Sequence, residues 1–569
     1  MSTNLRRVFF SVILLIAFIS ACAPGATPTT PIPTKTPVTY TITPSPQPPP
    51  KHRIGVRMID GIGEFYDRVT GEKFIPRGNN YIRLAKQHSP SGETILYHST
   101  FNPGLYDPTR IDETLQRMRS NGYNVVRVFL NNCCRQGSLS DPAGGLSAAY
   151  IANVADFLQR AKANGIFVLV TTDSEPSVGG TWSEDFGGYN ASYLRRGGIL
   201  SSTRFWSDFI KALIDQGAPL DAIFAYELRN ELFFEANLPP LSLTSRVVSA
   251  ANGKTYNMAS DADKQRMMDE NLVNWIDTVR ASILEVDPTA LVSVGFFWPQ
   301  APHPSRIGDP RVIETRPAIW ESTADFIDLH LYPGSDLTLQ EYVDNFKMAG
   351  MEKKPIIMGE FGAARSSYSS AAVAAQALHD WQVDSCQYGF NGWLLWTWDS
   401  DEQTDFYNAL VDESQINQAL APVNRPDPCQ SGALPFFEHN LALGRAVRAS
   451  RSLPDKPPSN AVDGMTSDWW GAGAGPTQWI EIDLGEPSAI RLIRLVASQS
   501  PPGETLHQLW VGPAIEELYL LHTFEGPTAD NQVLEFSSET PLEGVRYVRV
   551  VTRRSPSWVS WREIEVLAP

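Results

Sequence analysis

Between residues 74 and 398 the chain repeats one pattern eight times: a short, β-branched apolar run, then, for most of them, a stretch with helical spacing. Apolar side chains have to be buried in step with the backbone period, so this alternation calls for a parallel sheet with helices packed against it. Strands are predicted at 74–81, 124–130 and 166–172, and near 221–229, 290–297, 325–331, 355–360 and 391–398. Ile111, Leu115 and Met118 recur at helical spacing before Gly122, and Ile151, Val154, Leu158 and Ala161 before Gly165. Further helices are predicted near 202–216, 261–286, 337–350 and 369–388. Eight such units over ~345 residues fit an α/β fold, a (β/α)₈ TIM barrel at 53–421. A doubly wound open sheet is the structural alternative, and the lack of a GxGxxG turn counts against it.

The rhythm breaks in a Pro-rich joint at 422–436. Beyond it the period becomes two, most clearly in Trp479-Ile480-Glu481-Ile482-Asp483-Leu484, with further runs at 490–496, 506–511, 518–521 and 546–551. Short strands between Gly, Pro, Asn and Asp turns predict an all-β sandwich at 437–569. At the other end, Arg6 and Arg7 precede an apolar run at 8–19 and then Ser20-Ala21-Cys22. That order reads as an export signal, too short at roughly 12 residues to remain as a membrane span. It resembles the lipobox of bacterial lipoproteins, in which Cys22 is the lipidated residue, and an ordinary secretory signal is the other reading. Residues 23–52 follow as a linker, and 24–50 hold ten prolines and eight threonines, a composition that cannot bury enough surface to fold.

The formal charge of −16 argues against nucleic acid as a partner. After Cys22 four cysteines remain: Cys133, Cys134, Cys386 and Cys429. An exported chain can oxidise them. A Cys386–Cys429 bridge is one pairing, and Cys133-Cys134 is either a vicinal bridge or a reduced pair. No spacing points to a catalytic metal.

In a barrel of this kind the chemistry sits at the C-terminal ends of the strands. The fourth strand ends Ala225-Tyr226-Glu227-Leu228-Arg229-Asn230-Glu231 and the seventh ends Ile356-Ile357-Met358-Gly359-Glu360-Phe361-Gly362. Strands four and seven face each other across the mouth, which can bring Glu231 and Glu360 together. Two carboxyls about 5–5.5 Å apart are what a retaining glycoside hydrolysis needs. Trp298, at the end of strand five, reads equally as a sugar platform or a core residue. Asp399, Asp401, Glu402 and Asp405 read as a solvated acidic loop near the cleft.

From about Arg57 to Leu420 the chain resembles glycoside hydrolase family 5, the cellulase and mannanase family of clan A. The resemblance is carried by Arg77-Gly78-Asn79-Asn80, the 118–128 stretch ending in Val125-Val126-Arg127-Val128, the two glutamate motifs, His330-Leu331-Tyr332-Pro333 and Gly392-Trp393-Leu394-Leu395-Trp396. It implies Glu231 as general acid/base, Glu360 as nucleophile and Asn230 on the sugar 2-hydroxyl. Arg127 and Tyr332 would keep Glu360 ionised, His330 would contact the acid/base or the sugar, and Trp396 would floor the sugar subsite. Glu227 reads as a structural carboxylate, with an exchange of roles with Glu231 as the alternative, and Arg127 can equally serve to neutralise Glu227. Two departures stand out: Leu232 where proline is usual, and Asp173 near a position where many members carry histidine.

Residues 437–567 resemble a discoidin (coagulation factor type C) domain, through Asn440–Gly444, Ala461-Val462-Asp463-Gly464, Trp479–Gly485 and Arg546–Thr552. Such domains share their fold with carbohydrate-binding modules, and some hold a structural Ca²⁺, for which Asp463 is the candidate ligand. Trp469 and Trp470 read either as sugar-stacking or as core. The expectation is a retaining hydrolase of β-linked polysaccharide or oligosaccharide, leaning toward β-mannan, with β-glucan close behind. It would need no cofactor, work as a monomer and stay lipid-anchored at the outside of a bacterial membrane. A transglycosylase on the same glutamates and a non-catalytic surface carbohydrate-binding protein are the alternatives.

Overall fold

The computed structural model describes residues 52–568 apart from 90, 135–136, 177–181, 183–189, 233, 236, 298–319, 335–336, 347, 351 and 432–439. Cys22, residues 23–51 of the N-terminal linker and Trp298 lie outside the described residues. Barrel and sandwich both fall within the compact unit Pro49–Pro569. Among the described residues no helix is long and apolar enough to cross a membrane.

The barrel strands are Arg77–Asn80, Val125–Phe129, Phe167–Thr171, Ile223–Glu227, a fifth in two pieces (Val292–Ser293 and Gly295–Phe297), Ile327–His330, Ile356–Phe361 and Phe390–Leu395. Each pairs in parallel with the next, and the eighth pairs back onto the first through Trp393–Arg77 and Leu395–Asn79. Across the break in strand five, Ser293 pairs with Glu227 and Phe297 with His330, so the ring closes. The predicted first strand is interrupted: Lys73–Phe74 joins an N-terminal antiparallel pair, Ile54–Ile59 and Ile62–Asp67, and Pro76, with no N–H to donate, separates it from Arg77. The third helix starts earlier than its spacing implied, at Arg196–Asp215. The helix before strand seven is shorter, Leu339–Asn345, and opens with a capping box from Thr338 and Glu341.

Period-two alternation builds the barrel interior in layers. Val125, Leu169, Ala225, Phe326, Ile357 and Leu394 pack with Phe65 and Ile54 of the N-terminal hairpin, an apolar plug at the bottom. Their alternate neighbours Val126, Val168, Tyr226, Ile327 and Met358 join the core beneath the helices. Two residues further along the inward face, the side chains turn polar: Arg127, Thr171, Glu227 and Asp328, all fully buried. The room for this polar layer comes from glycines. A Cβ on Gly359 would lie 2.1 Å from Asp328 Oδ1, and one on Gly295 would lie 2.7 Å from Glu227 Oε1.

Cys386 and Cys429 are disulfide-bonded, tying the end of helix Ala371–Ser385 to the segment after the last barrel helix, Val411–Leu420. Cys133 and Cys134 are not joined to each other.

The C-terminal domain is antiparallel throughout. Gln478–Ala497 and Val533–Arg554 pair along most of their length, with register shifts midway at which they bend. On one side of the bend they extend to Ala446–Ala449, Gly503–Gly512 and Tyr519–Thr528, and on the other to Ser560–Leu567 and Trp470–Gly471. Two sheets thus share two strands and enclose Ile480, Ile482, Ile493, Leu495, Val548, Val550 and Trp561. This is the sandwich expected from the period-two runs. Trp470 is part of that core, while Trp469 has Lys456 Nζ 3.9 Å from its ring centre.

Candidate active site

Strand ends bring the functional groups to one mouth, and backbone hydrogen bonds fix them there. After strand four the chain is pinned on both flanks: Asn230 N–H donates to Thr172 O at 2.8 Å and Leu232 N–H to Gly295 O at 3.0 Å. Between these anchors Glu231 sits at φ +43°, the left-handed region that a side chain rarely adopts. That backbone turn is maintained by the two anchors and aims the carboxyl into the cleft. Leu331 N–H donates to Glu360 O at 3.0 Å, and Trp396 N–H to Phe361 O at 2.8 Å, so strands six, seven and eight are locked together at the same height.

Arg127 is the hub. Its guanidinium donates to Glu227 through Nε (3.0 Å) and Nη2 (2.7 Å), to Asn80 Oδ1 (2.9 Å), to Asn230 Oδ1 (2.7 Å) and to Glu360 Oε1 (2.5 Å). It therefore bonds Glu227 and Glu360 at once. Burial pushes the Glu227 carboxyl up, but Arg127 outweighs this and holds it below the ordinary range. Asp328 is pushed well above its ordinary range by burial and by the charge of Glu227. Thr171 also donates to Glu227, at 2.8 Å.

Glu360 receives the Tyr332 hydroxyl on Oε2 at 2.6 Å, opposite Arg127 on Oε1. Burial, with Glu231 adding to it, leaves its carboxyl raised overall, and Arg127 and the Tyr332 hydroxyl oppose the rise. Glu231 has no such donor cation. Its Oε1 lies 3.1 Å from His330 Nδ1, and burial lowers the His330 pKa to about 4, so the ring is neutral at pH 7. Burial pushes Glu231 up to about 8, with Arg127 opposing and Asp173 and Glu227 adding to the rise. The side chain keeps 29% of its surface open toward the cleft, and a bound sugar that displaces water there strengthens the effect. An oxygen of Glu231, an oxygen of Glu360 and a ring nitrogen of His330 all lie within 4.8 Å of one another. This group, and Glu227 with Asp328 and His330, have metal-ligand spacing, but each includes a carboxylate already bonded to Arg127.

The glutamates open into a cavity of about 540 Å³, lined by Asn230, Tyr332 and Trp396 among others. One protonated and one cation-bound carboxyl at its floor can donate a proton to an oxygen and face the carbon it leaves. The family model for cellulase, glycosyl hydrolase family 5, matches residues 88–402, more than half of the chain. The chain belongs to glycosyl hydrolase family 5. It is an O-glycosyl hydrolase. No curated protein sequence matches it. Among solved structures it is similar to an exo-β-1,4-mannosidase from Opitutaceae bacterium strain TAV5 (20% identity, 64% of this chain and 59% of that one, TM-score 0.41). It is also similar to a β-mannanase from the blue mussel Mytilus edulis (16% identity, 68% of this chain and 100% of that one, TM-score 0.42). The C-terminal region is similar to the family 32 CBM from C. perfringens NanJ in complex with galactose (17% identity, 22% of this chain and 93% of that one, TM-score 0.19).

Other walls of this family 5 cleft were not singled out in the sequence. A hairpin after strand one, Leu84–His88 with Thr94–His98, contributes Leu84, Leu96, Tyr97 and His98. Tyr97 contacts Asp173 at 2.5 Å, and Asp173 accepts from Asn230 Nδ2 at 3.2 Å, so the departure at Asp173 is absorbed into a tyrosine–aspartate–asparagine chain. His98 lies flat on Phe129, ring centres 4.1 Å apart, and burial lowers its pKa to about 4. The one signal for this hairpin in the sequence is the short run Leu96-Tyr97-His98 just beyond the first strand, apolar and aromatic enough to be a strand beside the barrel rim. The acidic loop is not merely solvated. Asp399 pairs with Arg83 (2.7 Å) and Arg110 (2.9 Å), which holds Gln403 and Phe406 at the cleft edge.

The Glu231 shift has a consequence for stability. Between the ordinary carboxyl value of 4.5 and about 8 the folded chain binds a proton that the unfolded chain has released, so stability falls as pH rises through that window. Glu231→Gln has no charge to bury. Its Tm is expected to match wild type near pH 4 and to exceed it by roughly a few degrees at pH 9. Calorimetry across that range checks this, and a difference that does not change with pH would refute it.

Proposed function

We propose that this enzyme cleaves β-linked polysaccharide with retention of configuration, by double displacement between Glu231 and Glu360. The observation that carries this reading is the approach of the two carboxyls, with oxygens within 4.8 Å of each other, compared with about 6.5–9.5 Å when a water must fit between them. Glu360 attacks the anomeric carbon as Glu231 passes its proton to the leaving oxygen, and the bond between that oxygen and the carbon breaks. In the second half, Glu231 takes a proton from water, the water oxygen bonds to the anomeric carbon and Glu360 departs. Arg127 and Tyr332 favour the charged form of Glu360 against the rise that burial imposes, and each fixes one of its oxygens. Neutral His330 keeps Glu231 aligned without drawing off its proton. Asn230, itself held by Arg127 and Asp173, faces the sugar 2-hydroxyl, and Trp396 forms the floor. His98, with its ring over Phe129, gives the opposite wall a neutral hydrogen-bonding group. The Glu-Leu-Arg-Asn-Glu and His-Leu-Tyr-Pro sequences favour β-mannan, with β-glucan next.

The C-terminal sandwich is proposed to bind carbohydrate and to hold a structural Ca²⁺ beside Asp463. Behind the exposed Asp463, Glu563 is fully buried; Gly464 N–H reaches its Oε1 at 3.2 Å while Oε2 has no partner among the described residues. Burial together with Asp463, Glu565 and Asp468 pushes the Glu563 carboxyl well above its ordinary range. A divalent cation next to it would satisfy that oxygen and reverse the shift. Cys22 is proposed as the lipidated residue, with the Pro/Thr-rich 24–50 segment as spacer from an outer membrane face.

Three measurements test these readings. Soluble β-mannan and β-glucan are offered to wild type, Glu231→Ala and Glu360→Ala, and the first-formed anomer is followed by proton NMR. β-Anomer from wild type and a loss of about 10³-fold or more in both variants are expected. First-formed α-anomer, or activity that survives both changes, would exclude the mechanism, and chain-lengthened products would assign transglycosylation. Ca²⁺ is expected to raise Tm by several degrees over chelator in wild type and not in Glu563→Gln; equal Tm with and without Ca²⁺ in wild type defeats that site. Labelled palmitate should enter wild type in a bacterial host and not Cys22→Ala, and label retained by the variant removes Cys22 from the role.

A further inference from the structure

The loop that follows Glu360 forms one side of the cleft through Ala364, Ser366 and Ser367. Its first part is held by the barrel: Ala363–Ala364 pairs antiparallel with Phe406–Tyr407, and Arg365 N–H donates to Asp405 O at 2.8 Å. Its second part is held by the C-terminal sandwich. Thr466 donates its backbone N–H to Ser367 O at 2.9 Å and its hydroxyl to Ser366 O at 3.0 Å. The Ser369 hydroxyl donates to the carboxylate of Glu565, which is fully buried. Thr466 is fixed in turn, because Arg562 Nη1 donates to its carbonyl at 2.9 Å while the rest of that guanidinium holds Asp530.

The constraint does not stop at the loop. The Ser367 hydroxyl donates to Gly334 O at 3.1 Å, and Gly334 is a cleft residue two positions after Tyr332, which bonds Glu360. A hydrogen-bonded path therefore runs from the sandwich, through the 366–367 peptides, to the segment that carries the partner of Glu360. We propose that the sandwich buttresses one wall of the catalytic cleft from behind: Thr466 and Glu565 are positioning residues that set the 366–369 loop against the sugar, whatever the sandwich itself binds. The proposal rests on the cleft being the site of sugar cleavage. A wall held at two consecutive peptides cannot drift by the ångström or so that weakens sugar contacts, and released, it can.

A tethered sugar binder helps only on polymer, by raising local concentration, and gives nothing on a small soluble substrate. The test is therefore run on a small aryl β-glycoside of whichever sugar wild type cleaves, with the full chain. Thr466→Val removes the hydroxyl donor, Ser369→Ala removes the partner of Glu565 from the barrel side, and Thr466→Ser keeps the donor. Each of the first two is expected to raise KM roughly three- to tenfold with kcat within about twofold, and Thr466→Ser to stay near wild type. The double variant should lose less than the product of the singles, because both act through one loop. If Thr466→Val does not fold, Ser369→Ala decides alone. Folded variants with wild-type KM on the small glycoside, or a loss confined to polymer, overturn the proposal. A wild type that cleaves no glycoside overturns the reading of the cleft and this proposal with it, whereas an active wild type with indifferent variants overturns this proposal alone.

Discussion

A single buried cation organises the upper half of this barrel. Arg127 has no exposed surface, and a guanidinium taken out of water is tolerable only if its donors and its charge are all answered. Burial works against its charge, yet Glu227 and Glu360 outweigh that and hold it more firmly protonated than usual. Glu227 and Asn80 take the donors that anchor it, which leaves the remaining edge committed to Asn230 and Glu360. The geometry of the reacting centre thus follows from a requirement of stability. Losing Glu227 would strand the charge and loosen the hold on Asn230 and Glu360 in the same step.

Two chemically identical carboxyls are made different by what surrounds them. Glu360 sits between a cation and a phenol, both donating. Glu231 sits beside an uncharged imidazole, in a cleft wall with negative groups behind it, on a backbone turned into the left-handed region. The supporting acids differ as well: Arg127 holds Glu227 below its ordinary range, and burial with the charge of Glu227 raises Asp328 well above its own.

The two domains are joined by more than a chain connection. The disulfide between Cys386 and Cys429 secures the exit from the barrel, and the sandwich returns to touch the loop that carries the chain away from Glu360. The loop on that side of the cleft is thus bonded to both domains.

The sequence alone was enough for the order of strands and helices, since burial imposes periods of two and 3.6 that composition cannot hide. Strand ends that converge in such a barrel were enough to nominate Glu231 and Glu360, while Arg127, Asn230, His330, Tyr332 and Trp396 came from the resemblance to glycoside hydrolase family 5. Where a helix began or a strand broke was less legible: Arg196 starts a helix that spacing placed later, and Pro76 splits a run that hydropathy joined. What no pattern in the chain contains is partnership across distance. That Arg127 answers Glu227 and Glu360 together, that Asp399 is bound by Arg83 and Arg110, that Tyr97 and His98 arrive from a hairpin, and that Thr466 reaches Ser366 a hundred residues away depend on side chains meeting in space. Hydrogen bonds and ion pairs act over about 3 Å, so only the folded chain decides which of many polar residues are close enough to count.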